Sequence, residues 1–262
     1  MKLAVIIPAA GASSRYGAAG GLRPKIDEDL GGRPVLQRTV ELFIQRDETA
    51  SVIVAGPANA WDDFILRHGD KLGLLGVKVC KGGESHRYET VRNALALVPP
   101  DCTHVAVHDA ARPCTTPELI DRVLAAAEKH NAVIPAYDVP DTLKRVTAPA
   151  EDNDIDPLDA ILGGAGKANR AVRTVTATVP RESLTLVQTP QVFELSLLKR
   201  AYAQTDLAST DDASLVERLG EPVVVVEGDP RNIKITRPVD LTMARLILQV
   251  KPPAEREAHK RF

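Results

Sequence analysis

Residues 8–25, PAAGASSRYGAAGGLRPK, place small side chains and fixed cations on one stretch directly after a short apolar run. Ala9, Ala10, Gly11 and Ala12 let backbone N–H groups approach a ligand closely, as phosphate and nucleobase cradles require. Arg15 and Lys25 add positive charge to the same loop, a set suited to a triphosphate whose leaving pyrophosphate gathers negative charge. An ordinary strand-to-helix loop with exposed basic residues has the same composition. Two commoner loops are excluded. A Walker A loop needs G-x-x-x-x-G-K-[ST], but Gly166-Lys167 is followed by Ala168, and Ile161 stands where the first glycine belongs. A dinucleotide fingerprint needs G-x-G-x-x-G, but Ser13 and Tyr16 follow Gly11 at the key places.

A second cluster, VHDAARP at 107–113, closes another apolar run. Ligands of open parallel sheets collect at the carboxyl ends of strands, so Asp109 is placed to hold Mg²⁺ or, more plainly, to cap a turn. Mg²⁺ takes one or two carboxylates plus substrate phosphate oxygens, so a lone aspartate suffices. Arg112 has a phosphate or a neighbouring carboxylate open to it, and His108 reads as structural. Further along, GGESHRYETV (82–91) has the glycines and hydroxyl to wrap a base and ribose, and equally those of a turn before a helix. PDTLKR, PRESL, QTPQVF and NIKIT offer isolated donors: Thr142, Arg181, Thr189 and Lys234 suit a phosphate monoester, or simply water.

The elements that must position these residues are legible as apolar runs without alternation, at Leu3–Ile7, Ser51–Ala55, His104–Val107, Ala132–Pro135 and Pro222–Val226, as strands covered on both faces tend to be. Amphipathic stretches of helical period lie between them. Pro34–Gln45 and Pro117–Lys129 are helices, the second with Thr116 as N-cap and Pro117 at the first helical position. Thr210–Leu219 starts with acidic residues and stops at Gly220. Alternating strand and helix predict an α/β fold, an open, mostly parallel sheet with helices on both faces. Residues 146–170 break the pattern and read as an excursion or arm; 251–262 read as a charged tail. The 262 residues otherwise form one domain, 1–250.

Composition narrows the setting. Aromatics are only 3%, so the core is aliphatic, and a net charge of −2 gives no electrostatic case for nucleic acid. Three scattered cysteines make neither a disulfide framework nor a zinc site. The N-terminal apolar run ends at Pro8, too short for a signal core, and no stretch is long enough to span a bilayer. A cytoplasmic protein without a membrane partner is the expectation.

Taken in order, PAAG with RPK, VHDAARP, QTPQVF, TDDAS and NIKITRPVDL resemble the methylerythritol phosphate cytidylyltransferase family of the non-mevalonate isoprenoid pathway, from Leu3 to about Leu246. The resemblance implies a Rossmann-like nucleotide-binding core, CTP and Mg²⁺ as ligands, and a homodimer joined through a β-arm at about 138–180. It implies that Pro8, Ala9, Ala10, Gly11 and Ala12 cradle CTP, with Gly82, Gly83, Thr90 and Ala110 around the nucleotide. Arg15, Lys25 and Lys234 become the catalytic cations at the α-phosphorus. Asp109 becomes the Mg²⁺ ligand and, with Arg112, Thr189 and Lys234, faces the sugar-alcohol phosphate. Thr142 and Arg181 match arm residues that reach the substrate phosphate in the partner subunit, so active sites are shared.

Ser13 replaces the family's usual glycine, two extra residues separate Arg15 from Lys25, Ile26 replaces Gln, Thr90 replaces Ser, and the 146–170 segment is long. The ribitol 5-phosphate cytidylyltransferases share QTPQ and NIKIT, but the run Ala110-Ala111-Arg112-Pro113 favours the isoprenoid family. A non-catalytic nucleotide-binding module of the same fold is expected to lack Arg15, Lys25 or Asp109, and all are present.

Overall fold

The computed structural model describes residues 1–148 and 172–252. The chain divides into two compact units, Met1–Tyr137 with Val187–Phe262, and Asp138–Leu186. Most of the predicted 146–170 excursion and of the 251–262 tail lies outside the described residues.

The first unit is built on strands β1 (Leu3–Pro8), β2 (Thr49–Gly56), β3 (Lys78–Lys81), β4 (His104–Val107), β5 (Ala132–Asp138), β9 (Gln191–Glu194) and β10 (Val224–Glu227), in the order β10-β5-β9-β4-β1-β2-β3. All neighbours are parallel except β9, which runs antiparallel between β4 and β5. Its helices are α1 (Ser14–Ala18), α2 (Val35–Ile44), α3 (Trp61–Phe64), α4 (Asp70–Leu74), α5 (Arg87–Leu95), α6 (Pro117–Ala127), α7 (Leu195–Tyr202), α8 (Ala213–Glu217) and α9 (Pro238–Ile247). A single π-turn, Ile65–Gly69, joins α3 to α4.

Strand β1 explains why the apolar runs do not alternate. Ala4 and Ile6 point into one core, with α5, α7 and α8; Leu3, Val5 and Ile7 point into another, with α2 and α6. Both faces are covered, so every position must be apolar. A third, smaller cluster packs Tyr16, Leu30 and Val35 against Ala111, Ile235 and Leu241. It ties α1, α2 and α9 to the loop after β4.

Thr116 caps α6, its hydroxyl accepting from Leu119 N at 3.3 Å. The predicted 210–219 helix is shorter: α8 starts at Ala213, and Asp212 makes no side-chain cap. Asp211 does the capping, Oδ1 accepting from Ser214 N at 3.2 Å, while Asp212 is used elsewhere. Gly220 follows with a φ of 76°, the left-handed conformation that ends helices. The predicted 222–226 strand is displaced to Val224–Glu227.

The second unit carries strands β6 (Leu143–Val146) and β7 (Val175–Val179), an antiparallel pair with Leu143 opposite Val179. Lys144 Nζ donates to Thr178 Oγ1 at 2.6 Å, and Arg181 donates to the Pro140 carbonyl. Its side chains Val172, Val175, Leu184 and Leu186 are exposed. A short strand, β8 (Thr185–Val187), ends it.

Candidate active site

Parallel strands deliver their carboxyl ends to one edge of the sheet, and the site is built there. Ala9 N donates to Ala55 O at 2.8 Å, pinning the start of the small-residue loop to the end of β2. Gly82 N donates to Gly56 O at 2.7 Å, bringing the segment after β3 alongside. A Cβ on Gly82 would sit 2.8 Å from Ala10 Cβ and 2.9 Å from Gly56 O, so only glycine lets the two loops meet. Gly83 N donates to the buried Thr90 hydroxyl at 3.0 Å. Glu89 Oε2 accepts from Ser85 N and His86 N, closing the start of α5 and holding its carboxyl below the ordinary range.

Ser13 stands in the left-handed region, φ 53°. A glycine adopts this conformation freely, whereas an L residue there costs on the order of 1–2 kcal/mol. The Ser13 hydroxyl offers a partial return, accepting from Lys25 N at 3.4 Å.

These loops enclose a cavity of about 350 Å³, the scale of a small-molecule site. Pro8, Ala9, Ala10, Gly11 and Ala12 form one wall, with Arg15 and Lys25 beside them. Gly83, Thr90, Asp109, Ala110 and Lys234 line it as well. Lys234 arrives from far along the chain because Asn232 O accepts from Arg112 Nη1 at 2.7 Å and Ile235 N donates to Ala111 O at 2.8 Å.

The charges are arranged around Asp109. Lys234 Nζ lies 3.0 Å and Arg112 Nε 3.1 Å from the same oxygen, Oδ2. Burial alone would raise the Asp109 carboxyl, but Lys234, Arg112 and Arg87 outweigh it and hold the group ionised, well below the usual range. Burial, aided by repulsion from Lys234 and Arg15, brings Lys25 down to about 8. An anionic ligand would relieve that repulsion.

Three expected site residues stand behind the wall and do not line the cavity. Gly82 spaces the loops. Arg112, of its two uses, takes the carboxylate. Thr189 is buried, its hydroxyl accepting from Asp109 N at 3.1 Å and facing His108 Nδ1 at 3.0 Å. His108 is fully buried and burial lowers it to about 4, so it is neutral at pH 7, its Nε2–H donating to Arg112 O at 3.1 Å. Thr189 and His108 thus orient Asp109 from beneath. Thr142 and Arg181 lie in the second unit, both exposed.

Sequence reasoning missed Arg87, which lines the cavity at the start of α5. Its Nη2 donates to Asp212 Oδ2 at 2.7 Å. Nothing near Arg87 in sequence signals this, because its partner is 125 residues away. Tyr16, Ser85 and His86 also line the cavity without having been singled out.

Among the described residues no group of three or more His, Cys, Asp or Glu side chains could hold a metal ion unaided. Asp109 and Glu84 are the carboxylates of the described lining. Both contacts of Asp109 with cations fall on Oδ2. An ionised carboxylate whose Oδ1 meets no cation among the described residues fits a Mg²⁺ that takes most ligands from substrate and water.

The sequence profile of the IspD family, 2-C-methyl-D-erythritol 4-phosphate cytidylyltransferase, matches residues 3–154 and 160–250. The protein of that name from Frankia casuarinae is 41% identical over 256 residues, covering 97% of this chain and 84% of that protein. Its counterpart from Phocaeicola vulgatus is 38% identical, covering 95% of this chain and all of that one. The crystal structure of the Thermus thermophilus 2-C-methyl-D-erythritol 4-phosphate cytidylyltransferase superposes with a TM-score of 0.69 at 35% identity, over 95% of this chain and 100% of that one. The chain belongs to the 2-C-methyl-D-erythritol 4-phosphate cytidylyltransferase family.

Proposed function

We propose that the chain joins CTP to 2-C-methyl-D-erythritol 4-phosphate, giving CDP-methylerythritol and pyrophosphate for isoprenoid precursor synthesis. The observation that carries this reading is the convergence of Lys25, Lys234, Arg15 and Asp109 with the 8–12 loop on one cavity. A phosphate oxygen of the sugar alcohol attacks the α-phosphorus in line. One P–O bond forms there as the bond to the β-phosphate oxygen breaks, and pyrophosphate leaves. The attacking phosphate is already an anion, so no side-chain nucleophile is required; positioning and charge stabilisation do the catalysis. The 8–12 loop and Gly83 bind the nucleotide, Lys25 and Arg15 take up charge at the phosphates, and Lys234 steadies Asp109 beside them. A divalent cation, Mg²⁺ in this reading, would be held by Asp109 and supplies neutralisation of phosphate charge.

Pyrophosphate release with CTP and Mg²⁺, run in parallel with methylerythritol 4-phosphate and ribitol 5-phosphate, tests the reading. Release with the first alone is expected; release only with ribitol 5-phosphate would overturn it.

The pH dependence of CTP binding follows from Lys25. With a value of about 8 in the free protein, it is a cation below pH 8 and neutral above. CTP affinity should therefore fall about tenfold between pH 7 and 9, one unit above that value. Lys25→Arg, permanently charged, should flatten the profile in titration calorimetry. A flat wild-type profile would remove Lys25 from the nucleotide site.

The same reading makes the protein a homodimer in which Thr142 and Arg181 of one arm reach the substrate phosphate in the other subunit. Exposed Val172, Val175, Leu184 and Leu186 give the second unit apolar surface for such a partner. Mixing inactive Lys25→Ala and Arg181→Ala subunits should then restore activity, since half of the hybrid sites are intact; no recovery after confirmed exchange would refute shared sites. No helix among the described residues is long and apolar enough to cross a membrane, and the enzyme is proposed to work in the cytoplasm on small molecules, not nucleic acid.

A further inference from the structure

Lys25 poses a mechanical problem. It is drawn into the cavity wall although burial, Lys234 and Arg15 all disfavour its charge there. Among the described residues no hydrogen bond or ion pair holds its ammonium, so its position must come from the backbone that carries it. That backbone is a single 3₁₀ turn, Lys25–Asp27, closed by Asp27 N donating to Pro24 O at 2.9 Å.

The turn is gripped at its far end. Asp27 Oδ1 accepts from His68 Nε2 at 2.6 Å, and Asp27 Oδ2 lies 3.3 Å from Arg67 Nη1. The grip is enclosed: the side chains of Asp27 and His68 are 10% and 4% exposed. Successive residues of an α-helix do not face one another. Arg67 and His68 nevertheless meet one carboxylate, and both lie in the π-turn Ile65–Gly69, a kind of local widening frequent at functional sites. The His68 ring packs 5.1 Å from that of Phe64, itself fully buried and seated under Gly56 at the end of β2. The grip is thereby referred to the same sheet edge that carries the small-residue loop.

We propose that Asp27, held by His68 and Arg67, is a positioning residue that fixes Lys25 in the active site. The inference rests on the reading of Lys25 as the cation at the reacting phosphates. Asp27 touches no substrate; it acts by preventing the turn from swinging outward under the mutual repulsion of the three cations.

The variants are Asp27→Asn, His68→Phe, which keeps a ring against Phe64 without the donor, and His68→Gln, which keeps an N–H donor at similar reach. Asp27→Asn and His68→Phe should lower kcat about tenfold to a hundredfold, the usual cost of misplacing a catalytic group by about 1 Å, with KM for CTP changed far less. His68→Gln should recover most of the loss. In a Lys25→Ala background the same changes should cost nothing further, since residues acting as one unit are not additive. Equal losses in both backgrounds would reduce the grip to a general fold contact and overturn the proposal.

A second readout does not depend on turnover. After ¹³C-methylation of the lysines, the Lys25 resonance, assigned by its absence in Lys25→Arg, should titrate near 8 in the wild type and move toward the ordinary 10.5 in Asp27→Asn and His68→Phe. An unmoved midpoint in both overturns the proposal. If wild type released no pyrophosphate, the functional reading would fail while this titration still decided whether Asp27 fixes Lys25. If His68→Phe does not fold, Asp27→Asn against His68→Gln carries the same comparison.

Discussion

Lys25→Ala should lower turnover by about two to three orders of magnitude, the range for removing one preorganised charge or donor from a transition state, while the melting temperature holds or rises. The two halves of this expectation have one cause. In the free protein Lys25 is a liability: burial and the nearby Lys234 and Arg15 all favour its neutral form. Deleting the ammonium relieves that repulsion and strands no partner among the described residues, which offsets the loss of the partly buried stem. Once a triphosphate is bound, the same crowding of cations faces charge moving onto pyrophosphate, and the interaction strengthens as the bond breaks. Lys25→Arg should recover part of the rate, limited by a planar fork where a compact ammonium fits. Steady-state pyrophosphate release with thermal melts of both variants checks this. Near-normal kcat in Lys25→Ala would end its catalytic assignment, and a large fall in melting temperature would show that the lysine is structural.

How much of this was legible in the sequence follows from what each signal depends on. β1, β2, β4 and β5 are uninterrupted apolar runs because helices cover both their faces, and that pattern is local. β3 was missed because it is an edge strand: KVCK is two half-buried residues between exposed lysines and has one strand neighbour. β9 was missed because only Val192 and Phe193 of QVFE are apolar and because it runs against its neighbours, a choice made by the whole sheet. A place on the cavity wall was readable from type and spacing where a residue need only be small or charged at a strand end, as with Ala9 to Ala12, Lys25 and Asp109. Residues defined by a distant partner were not. Thr189 and Arg112 were expected to face substrate, but burial commits Thr189 to Asp109 and His108, and Arg112 to Asp109 and Asn232. The TDDAS segment was read as charge at a helix start, whereas Asp212 is spent inside the protein.

That use of Asp212 gives the largest stability effect expected. Its side chain is fully buried, Oδ2 accepting from Arg87 Nη2 at 2.7 Å and Oδ1 from the Tyr202 hydroxyl. Burial, reinforced by the Asp212 charge, keeps the Tyr202 phenol protonated far above its ordinary range, and the pair with Asp212 holds Arg87 charged despite burial. Gln191 of β9 locks the backbone from behind, Oε1 accepting from Asp212 N and Ala213 N at 3.2 and 3.1 Å. Asp212→Asn keeps the shape but leaves Arg87 without its counter-ion. Breaking a buried pair on one side costs about 3–5 kcal/mol. Arg87 is 28% exposed and water returns part of that, so about 2–4 kcal/mol is expected, or roughly 4–16 °C in melting temperature for a domain of this size. The double variant Arg87→Met with Asp212→Asn should be less destabilised than Asp212→Asn alone, because it removes the stranded charge. Activity separates the two roles of Arg87: the double variant regains stability but loses a cation from the cavity wall, so its KM for CTP should stay raised. If Asp212→Asn melts with the wild type, the pair contributes nothing to the fold and the TDDAS aspartate needs another explanation.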